Sequence, residues 1–181
     1  QLLALRPDLE IISLRGNVNS RIAKLKDGEF DAIILAMAGI NRLDLSKEVN
    51  YVSVLNTIAA MGQGALGIEA VDRADILEAI EFLNDEKSVI ETTIERAFVH
   101  RLNGGCQAPI GVSARLDGDK ISVKAILGTP DGKEILKDER VFNKAEYKEA
   151  GEILADEFIA KGAKELLAKA EQIASQIWAI K

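Results

Sequence analysis

Two turn signals divide residues 112–142 into three short runs that are rich in apolar and β-branched residues. The signals are Asp117-Gly118 and Pro130-Asp131-Gly132, and the runs cover residues 112–116, 121–127 and 134–142. Because runs joined by turns this short pair as antiparallel neighbours, the stretch predicts a three-stranded antiparallel sheet. This sheet constrains the fold of the C-terminal half of the chain more than any other feature.

Helices are predicted on both sides of this sheet. Before it, a capping box with Ser88 at the N-cap position predicts a helix that ends near Leu102. Gly104 is the predicted left-handed residue after that helix. After the sheet, residues 144–180 have a helical pattern, so residues 86–181 predict a small α+β domain.

The N-terminal part predicts a different architecture. Two apolar runs at 11–14 and 31–38 flank a helical pattern that ends near Lys26. This order predicts a βαβ unit whose strands are parallel and covered on both faces. Residues 61–69 contain three glycines, which is typical of a hinge or of backbone that approaches a ligand closely. The predicted fold class is α/β, with a βαβ domain followed by the smaller α+β domain.

Composition argues against several classes of function. Hydrophobic residues make up 48% of the 181 residues and aromatic residues 4%, which predicts an aliphatic core. The net charge of −6 argues against nucleic acid or an anionic membrane as a partner, and no apolar run reaches the ~18 residues of a membrane span. The single cysteine cannot form an internal disulfide, so we expect a reducing, cytoplasmic location. No metal site is predicted from one cysteine and one histidine.

Three arginines follow the predicted strands of the βαβ unit. Arg15 lies at the end of the first strand, Arg21 early in the helix after it, and Arg42 after the next strand. Ligands of open α/β sheets bind at the carboxyl ends of strands, where guanidinium groups favour carboxylates or phosphates. The pattern fits a solvated surface equally well, so both interpretations stay open at this point.

Cys106, the only cysteine, lies in a glycine-punctuated loop between the predicted helix and the first strand. A lone cysteine is most often a buried structural thiol, but Gly104, Gly105 and Gln107 are not typical core neighbours. A loop thiol near positive groups is instead nucleophilic. A cysteine hydrolase would need a histidine base, and the only histidine, His100, lies on the preceding helix. The residues leave a structural thiol and an attachment point as alternatives.

Four motifs together resemble the porphobilinogen deaminase family in their order and spacing. They are LRGNVNSR at 14–21, DAIILA at 31–36 with Ala38-Gly39 and Arg42 behind it, GQGALGIE at 62–69, and ERA at 95–97 with GGCQAPIG at 104–111. The resemblance covers essentially the whole chain. It breaks down at 70–72, where Ala-Val-Asp replaces a more usual cysteine-arginine pair.

The resemblance implies a three-domain α/β enzyme of tetrapyrrole biosynthesis that acts as a monomer. Residues 1–59 would form most of domain 2, which is similar to periplasmic binding proteins. Residues 60–85 would form the hinge and the segment that returns to domain 1, and residues 86–181 the domain with the cofactor cysteine. The family's catalytic aspartate lies in domain 1, upstream of Gln1. We therefore expect this chain to be a C-terminal portion that has no catalytic residue and is inactive by itself.

The resemblance also implies a cofactor, a substrate and the residues that bind them. Cys106 would hold dipyrromethane through a thioether, and four porphobilinogen units would be added to this primer with loss of ammonia, giving hydroxymethylbilane. The carboxylates of the growing polypyrrole would pair with Arg15, Arg21 and Arg42. The other residues implied to contact the cofactor are Arg15, Arg21, Gln63 and Gly64.

Two other classes of function stay open. A non-catalytic module that captures a small anion would use the same arginines. A cysteine hydrolase is the weaker alternative, because Cys106 lacks a credible base in the sequence.

Overall fold

The computed structural model describes residues 1–105 and 108–179, and it divides the chain into two compact units. One unit comprises residues 8–56, and the other comprises residues 1–7 together with 57–181. In chain order, the α-helices of the described residues are α1 (Leu2–Leu5), α2 (Val18–Lys26), α3 (Met37–Arg42), α4 (Ala74–Ile80), α5 (Glu86–Arg101), α6 (Tyr147–Ala160) and α7 (Ala163–Ala179).

The larger unit contains the predicted three-stranded antiparallel sheet, which is confirmed. Its strands are β1 (Ile110–Asp117), β2 (Lys120–Gly128) and β3 (Ile135–Asn143), in the order β1-β2-β3. The pairing of Asp117 with Lys120 leaves a two-residue turn between β1 and β2. Gly118 in this turn has φ +55°, a left-handed conformation that glycine adopts without steric cost. The strand ends differ from the prediction by one or two residues.

The core of the larger unit lies where α5 packs against β1 and α6. The rings of Phe98 in α5 and Phe158 in α6 are fully buried and meet edge to face, with centroids 5.1 Å apart. Gly151 lets the two helices approach closely, because a Cβ atom there would come within 2.8 Å of Ala97 Cβ and 3.0 Å of the Phe98 nitrogen. The close approach fixes the position of α5, the helix that leads to the cysteine loop.

Helix α5 begins one turn earlier than predicted. Its N-cap is Asp85, whose side chain accepts a 2.7 Å hydrogen bond from the backbone N–H of Ser88. The prediction of Ser88 as the N-cap is therefore wrong. Glu86, Lys87 and Ser88 extend the helix by about one turn, which makes Ser88 the third helical residue, whose N–H a cap satisfies.

The end of α5 near Leu102 is confirmed, but its left-handed residue is Asn103 and not Gly104. Asn103 has φ +55°, and its N–H donates to the His100 carbonyl oxygen at 2.9 Å. The N–H of Gly104 donates to the Val99 carbonyl oxygen at 3.0 Å, which completes a Schellman motif. Asparagine tolerates the left-handed region better than most residues, so the motif needs no glycine at this position.

The smaller unit does not have the predicted parallel strands. Residues 8–56, all of which the structure describes, contain α2, α3, a 3₁₀ helix over Ser46–Glu48 and no strand. A parallel strand needs hydrogen-bonded neighbours and apolar cover on both faces. The apolar side chains of the predicted strands lack such cover, since Ile11, Ile12 and Ile34 are 54%, 51% and 60% exposed. The chain therefore shows a mixed α/β structure whose only sheet, within the described residues, is the antiparallel one.

Helices long and apolar enough to cross a membrane do not occur in the part of the chain that the structure describes.

Candidate functional site

The loop before α2 holds Arg21 in a defined position. Its Nε donates a 2.8 Å hydrogen bond to the Gly16 carbonyl oxygen, which ties the side chain to the residue next to Arg15. Asn17 caps α2 by accepting hydrogen bonds from the Ser20 N–H at 2.8 Å and the Ser20 hydroxyl at 3.0 Å. Gly16 has φ +122°, which favours glycine. The LRGNVNSR motif thus forms a hydrogen-bonded turn, with Arg15 before it and Arg21 in the helix after it.

Within residues 8–56, the three predicted arginines have no acidic partner. No carboxylate of this unit lies within the 4.0 Å ion-pair distance of Arg15, Arg21 or Arg42. Arg15 and Arg42 are exposed, and Arg42 lies in the last turn of α3, where a cation interacts favourably with the helix dipole. The structure brings Arg21 to the loop of Arg15, and no hydrogen bond within residues 8–56 joins Arg42 to that loop.

Two lysines on α2, unlike these arginines, have acidic partners. Lys24 pairs with Glu29 at 3.7 Å, and Lys26 pairs with Glu48. The hydrogen bond and the charge of Lys26 lower the pKa of the Glu48 carboxyl. Because the lysines are neutralised by nearby acids and the arginines are not, the arginines are available to an external anion.

In the larger unit, residues 60–65 form a loop of two overlapping turns. The Gln63 N–H donates to the Ala60 carbonyl oxygen at 3.2 Å, and the Ala65 N–H donates to the Gly62 carbonyl oxygen at 3.0 Å. Gly62 and Gly64 have φ +66° and +88°, so both need glycine. Gln63 and Gly64, the two predicted contact residues, are exposed on this loop. We call residues 60–65 the glycine loop.

The segment that precedes the glycine loop lies along the open edge of β1. The Val112 N–H donates to the Ala59 carbonyl oxygen at 2.9 Å. Gly111 has no side chain where a Cβ atom would clash with the Ile58 carbonyl oxygen. The Gln1 side chain donates to that same oxygen at 2.7 Å and accepts from the Ile58 N–H at 2.8 Å. The segment is therefore held from both sides by backbone-type hydrogen bonds.

Glu95 is a functional candidate that the sequence analysis did not single out. It lies in α5 with 8% of its surface exposed, and its carboxylate accepts hydrogen bonds from the Gly62 N–H at 2.7 Å and the Ala114 N–H at 2.9 Å. The sequence does contain one signal for Glu95, because a charge lies there among the apolar residues Ile94, Phe98 and Val99. A charge inside a buried stripe needs hydrogen-bond partners.

Cys106 and Gln107 lie outside the described residues, so the role of Cys106 stays a prediction. Both sides of the loop are described. The Ala108 N–H donates to the Gly105 carbonyl oxygen at 3.0 Å, and the Gly128 N–H of β2 donates to the Pro109 carbonyl oxygen at 3.3 Å. These bonds tie the described ends of the loop to each other and to the sheet.

A cleft of about 380 Å³ lies beside the residue at which this loop begins. Its walls include Met61 from the glycine loop, Arg96 and His100 one turn apart on α5, and Gly104. Arg96 is exposed and has no carboxylate within 4.0 Å among the described residues. His100 is exposed on the helix surface. The cleft joins the glycine loop to the base of the cysteine loop within one compact unit.

Comparison with known protein families gives two matches that together cover most of the chain. Residues 1–79 match the model described as "Porphobilinogen deaminase, dipyromethane cofactor binding domain". Residues 89–160 match the model described as "Porphobilinogen deaminase, C-terminal domain". The second match contains α5 from residue 89 onward, all three strands and α6 up to its end.

The chain is also similar to curated proteins from Campylobacter species, each called porphobilinogen deaminase. It is 73% identical over 173 residues to the protein of Campylobacter fetus, and 64% identical over 176 residues to that of Campylobacter jejuni. It is 60% identical over 178 residues to the protein of Campylobacter curvus. These alignments cover 96–97% of this chain and 57% of each relative, so the chain spans little more than half of their length.

Proposed function

Because the chain belongs to the porphobilinogen deaminase family, we propose that it forms part of a transferase that joins four porphobilinogen units into hydroxymethylbilane and releases ammonia. The observation that carries this proposal is the match of residues 1–79 to the model of the dipyromethane cofactor binding domain. Since the chain spans 57% of its relatives' length, the activity is proposed for a protein of their full length that contains this chain.

Cys106 is the proposed attachment point of the dipyrromethane, through a thioether from its sulfur. The described surroundings fit such a group. The cleft of about 380 Å³ starts beside the cysteine loop, and its wall contains the guanidinium of Arg96, which pairs with no carboxylate of the described residues. When bound, the dipyrromethane supplies the pyrrole end to which the first substrate unit is joined. The protein's part is to hold that group at a fixed place, and the hydrogen-bonded ends of the loop support this role.

The proposed role of Arg15, Arg21 and Arg42 is to bind the carboxylates of the cofactor and the growing chain. Porphobilinogen carries an acetate and a propionate, so each added unit brings two negative charges. Guanidinium groups pair with carboxylates through two parallel hydrogen bonds. Arg21 uses Nε for the Gly16 carbonyl oxygen, which orients the guanidinium and leaves the donors of its two terminal nitrogens for a ligand.

Gln63 and Gly64 are proposed to line the path of the pyrrole rings. Glycine at 62 and 64 leaves the backbone of the loop without side chains on either side of Gln63. Flat rings can therefore approach the peptide groups closely. The exposure of both residues on the glycine loop supports this placement.

The finer domain assignment is also a proposal. We propose that residues 1–59 belong to a domain similar to periplasmic binding proteins, 60–85 to a hinge and returning segment, and 86–181 to the cofactor-cysteine domain. The exposed apolar residues at 11–14 and 31–38 support a parallel sheet in the full-length protein, where further strands would cover them. The family resemblance supports a monomer, and the single cysteine supports a reducing, cytoplasmic compartment.

Turnover of porphobilinogen by the full-length protein tests the proposal. We expect the wild-type protein to release ammonia and form hydroxymethylbilane, and we expect Cys106→Ser to lose this activity. Reversible anion binding without any turnover would overturn the proposal and support the alternative of a small-anion-binding module, which the unpaired arginines would also serve. Turnover by Cys106→Ser at the wild-type rate would reject the cysteine as the attachment point.

A further inference from the structure

Glu95 is the one buried charged residue among the residues that the structure describes. It lies in the middle of α5 and is 8% exposed. Burying a carboxylate costs several kcal/mol unless hydrogen bonds compensate for the lost water. Its partners therefore determine what the residue does.

Each carboxylate oxygen of Glu95 accepts a backbone N–H from a different segment. Oε1 accepts from Ala114 in β1 at 2.9 Å, and Oε2 accepts from Gly62 in the glycine loop at 2.7 Å. The partners are 19 and 33 residues away in the sequence. One side chain thus joins the helix that leads to Cys106, the first strand after the cysteine loop, and the glycine loop.

The neighbouring Glu91 makes one of the two kinds of contact that Glu95 makes, the hydrogen bond to the edge of β1. Glu91 lies one turn before Glu95 on α5, and its Oε1 accepts from the Leu116 N–H at 2.8 Å. Both glutamates thereby occupy N–H groups on the open edge of β1, which protects that edge from pairing with another strand. Only Glu95 of the two also accepts a hydrogen bond from the glycine loop.

From this geometry we propose that Glu95 is a positioning residue that fixes the glycine loop, and with it Gln63 and Gly64, to helix α5. The role rests on the proposed function, in which those two residues line the path of the pyrrole rings. The left-handed Gly62, φ +66°, presents its N–H directly to Oε2. Without this acceptor, a part-buried N–H loses its partner, and the glycine loop loses the one side-chain hydrogen bond that it makes within the described residues.

Substitution of alanine for each glutamate tests this proposal in the full-length protein. Glu95→Ala removes both acceptor oxygens, so the Gly62 N–H and the Ala114 N–H both lose their partner. Glu91→Ala is the matched control on the same helix and the same strand edge. Hydrogen exchange of residues 61–65 measures the loop, and the ratio of kcat to KM for porphobilinogen measures the function.

We expect Glu95→Ala to speed exchange in residues 61–65 by about tenfold or more, consistent with the loss of a hydrogen bond to a charged group. Exchange there should be unchanged in Glu91→Ala. We also expect KM to rise in Glu95→Ala beyond its value in Glu91→Ala, at a temperature where both variants are fully folded. Equal loop exchange in the two variants, or a loosened loop with kinetics equal to the control, would overturn the positioning role. Failure of the proposed function is distinct, because the wild-type protein would then show no turnover while the exchange result could still hold.

Discussion

Gly104 lies directly against Ile110 at the base of the loop that contains Cys106. A Cβ atom on Gly104 would come within 2.6 Å of Ile110 Cδ1 and within 3.1 Å of Val99 Cγ1. The glycine leaves room for the end of the Ile110 side chain, whereas the left-handed conformation at the end of α5 belongs to Asn103. This contact brings the last turn of α5 and the first residue of β1 together on either side of the loop.

The contact predicts a specific rescue. Gly104→Ala should lower the free energy of unfolding by about 1–3 kcal/mol through overpacking, and should lower the fraction of full-length protein that carries the cofactor. Ile110→Val removes the Cδ1 atom that the new methyl group would meet. The double variant should therefore be more stable than the sum of the single effects by about 0.5 kcal/mol or more. Strictly additive effects in chemical denaturation would show that the two residues are not coupled.

Arg21→Ala should reduce kcat/KM for porphobilinogen in the full-length protein by about 10- to 100-fold, the loss expected for hydrogen bonds to a charged group. The free energy of unfolding should fall by no more than about 1 kcal/mol, because the half-buried side chain loses only its hydrogen bond to the Gly16 carbonyl oxygen. Lys24→Ala is the matched control, since it removes a cation of the same helix that is already paired with Glu29. Equal kinetics in both variants would reject a role for Arg21 in binding carboxylates.

The N-cap of α5 predicts a pH dependence of stability. Hydrogen bonds from the Ser88 hydroxyl and then from its backbone N–H lower the pKa of Asp85. Because the pKa is lower in the folded state than in the unfolded chain, where it is about 3.9, the stabilisation is present above that value. It is lost as the pH falls through the folded pKa.

Two substitutions separate the charge of Asp85 from its capping oxygen. Asp85→Asn keeps an acceptor for the Ser88 N–H but removes the negative charge. The variant should therefore be less stable than wild type at pH 7, where Asp85 is charged, but equally stable at low pH. Asp85→Ala should be less stable than Ser88→Ala at pH 7, because only the former leaves the backbone N–H without its cap. Thermal unfolding between pH 2 and pH 7 measures both. A larger loss of stability in Ser88→Ala than in Asp85→Ala would mean that Ser88, and not Asp85, is the N-cap.

Gly151→Ala should destabilise the larger unit by about 1–3 kcal/mol, because the new methyl group would meet the backbone of α5 at Ile94 and Phe98. Gly67→Ala is a suitable control. Gly67 has ordinary backbone dihedrals and no atom within 4 Å of an added Cβ. Denaturant unfolding should separate the two variants clearly. An unchanged midpoint in Gly151→Ala would mean that α5 and α6 do not pack as closely as the structure shows.

The antiparallel sheet could be predicted because its determinants are local. Asp117-Gly118 sets both the turn and the register of the first hairpin, and the core residues alternate along β2. The parallel strands could not be predicted correctly from residues 11–14 and 31–38. Their formation depends on neighbouring strands, and an apolar run does not reveal whether those neighbours are present.

In the candidate site, too, the features that depend on local sequence could be predicted, and those that depend on distant parts of the chain could not. The arginines and the glycine loop are visible as sequence motifs, and Asn17 with Ser20 indicates the capped helix that carries Arg21. The hydrogen bonds of Glu95 are not visible, because its two partners are 19 and 33 residues away and both are backbone groups. Such groups have no side-chain identity to recognise in a sequence.

Intact-mass spectrometry of the full-length protein shows whether Cys106 holds the dipyrromethane. We expect wild-type protein to carry one dipyrromethane adduct, peptide mapping to place it on Cys106, and Cys106→Ser to carry none. An unmodified Cys106 in a preparation that turns over porphobilinogen would rule out this attachment, as would the same adduct on the Cys106→Ser protein.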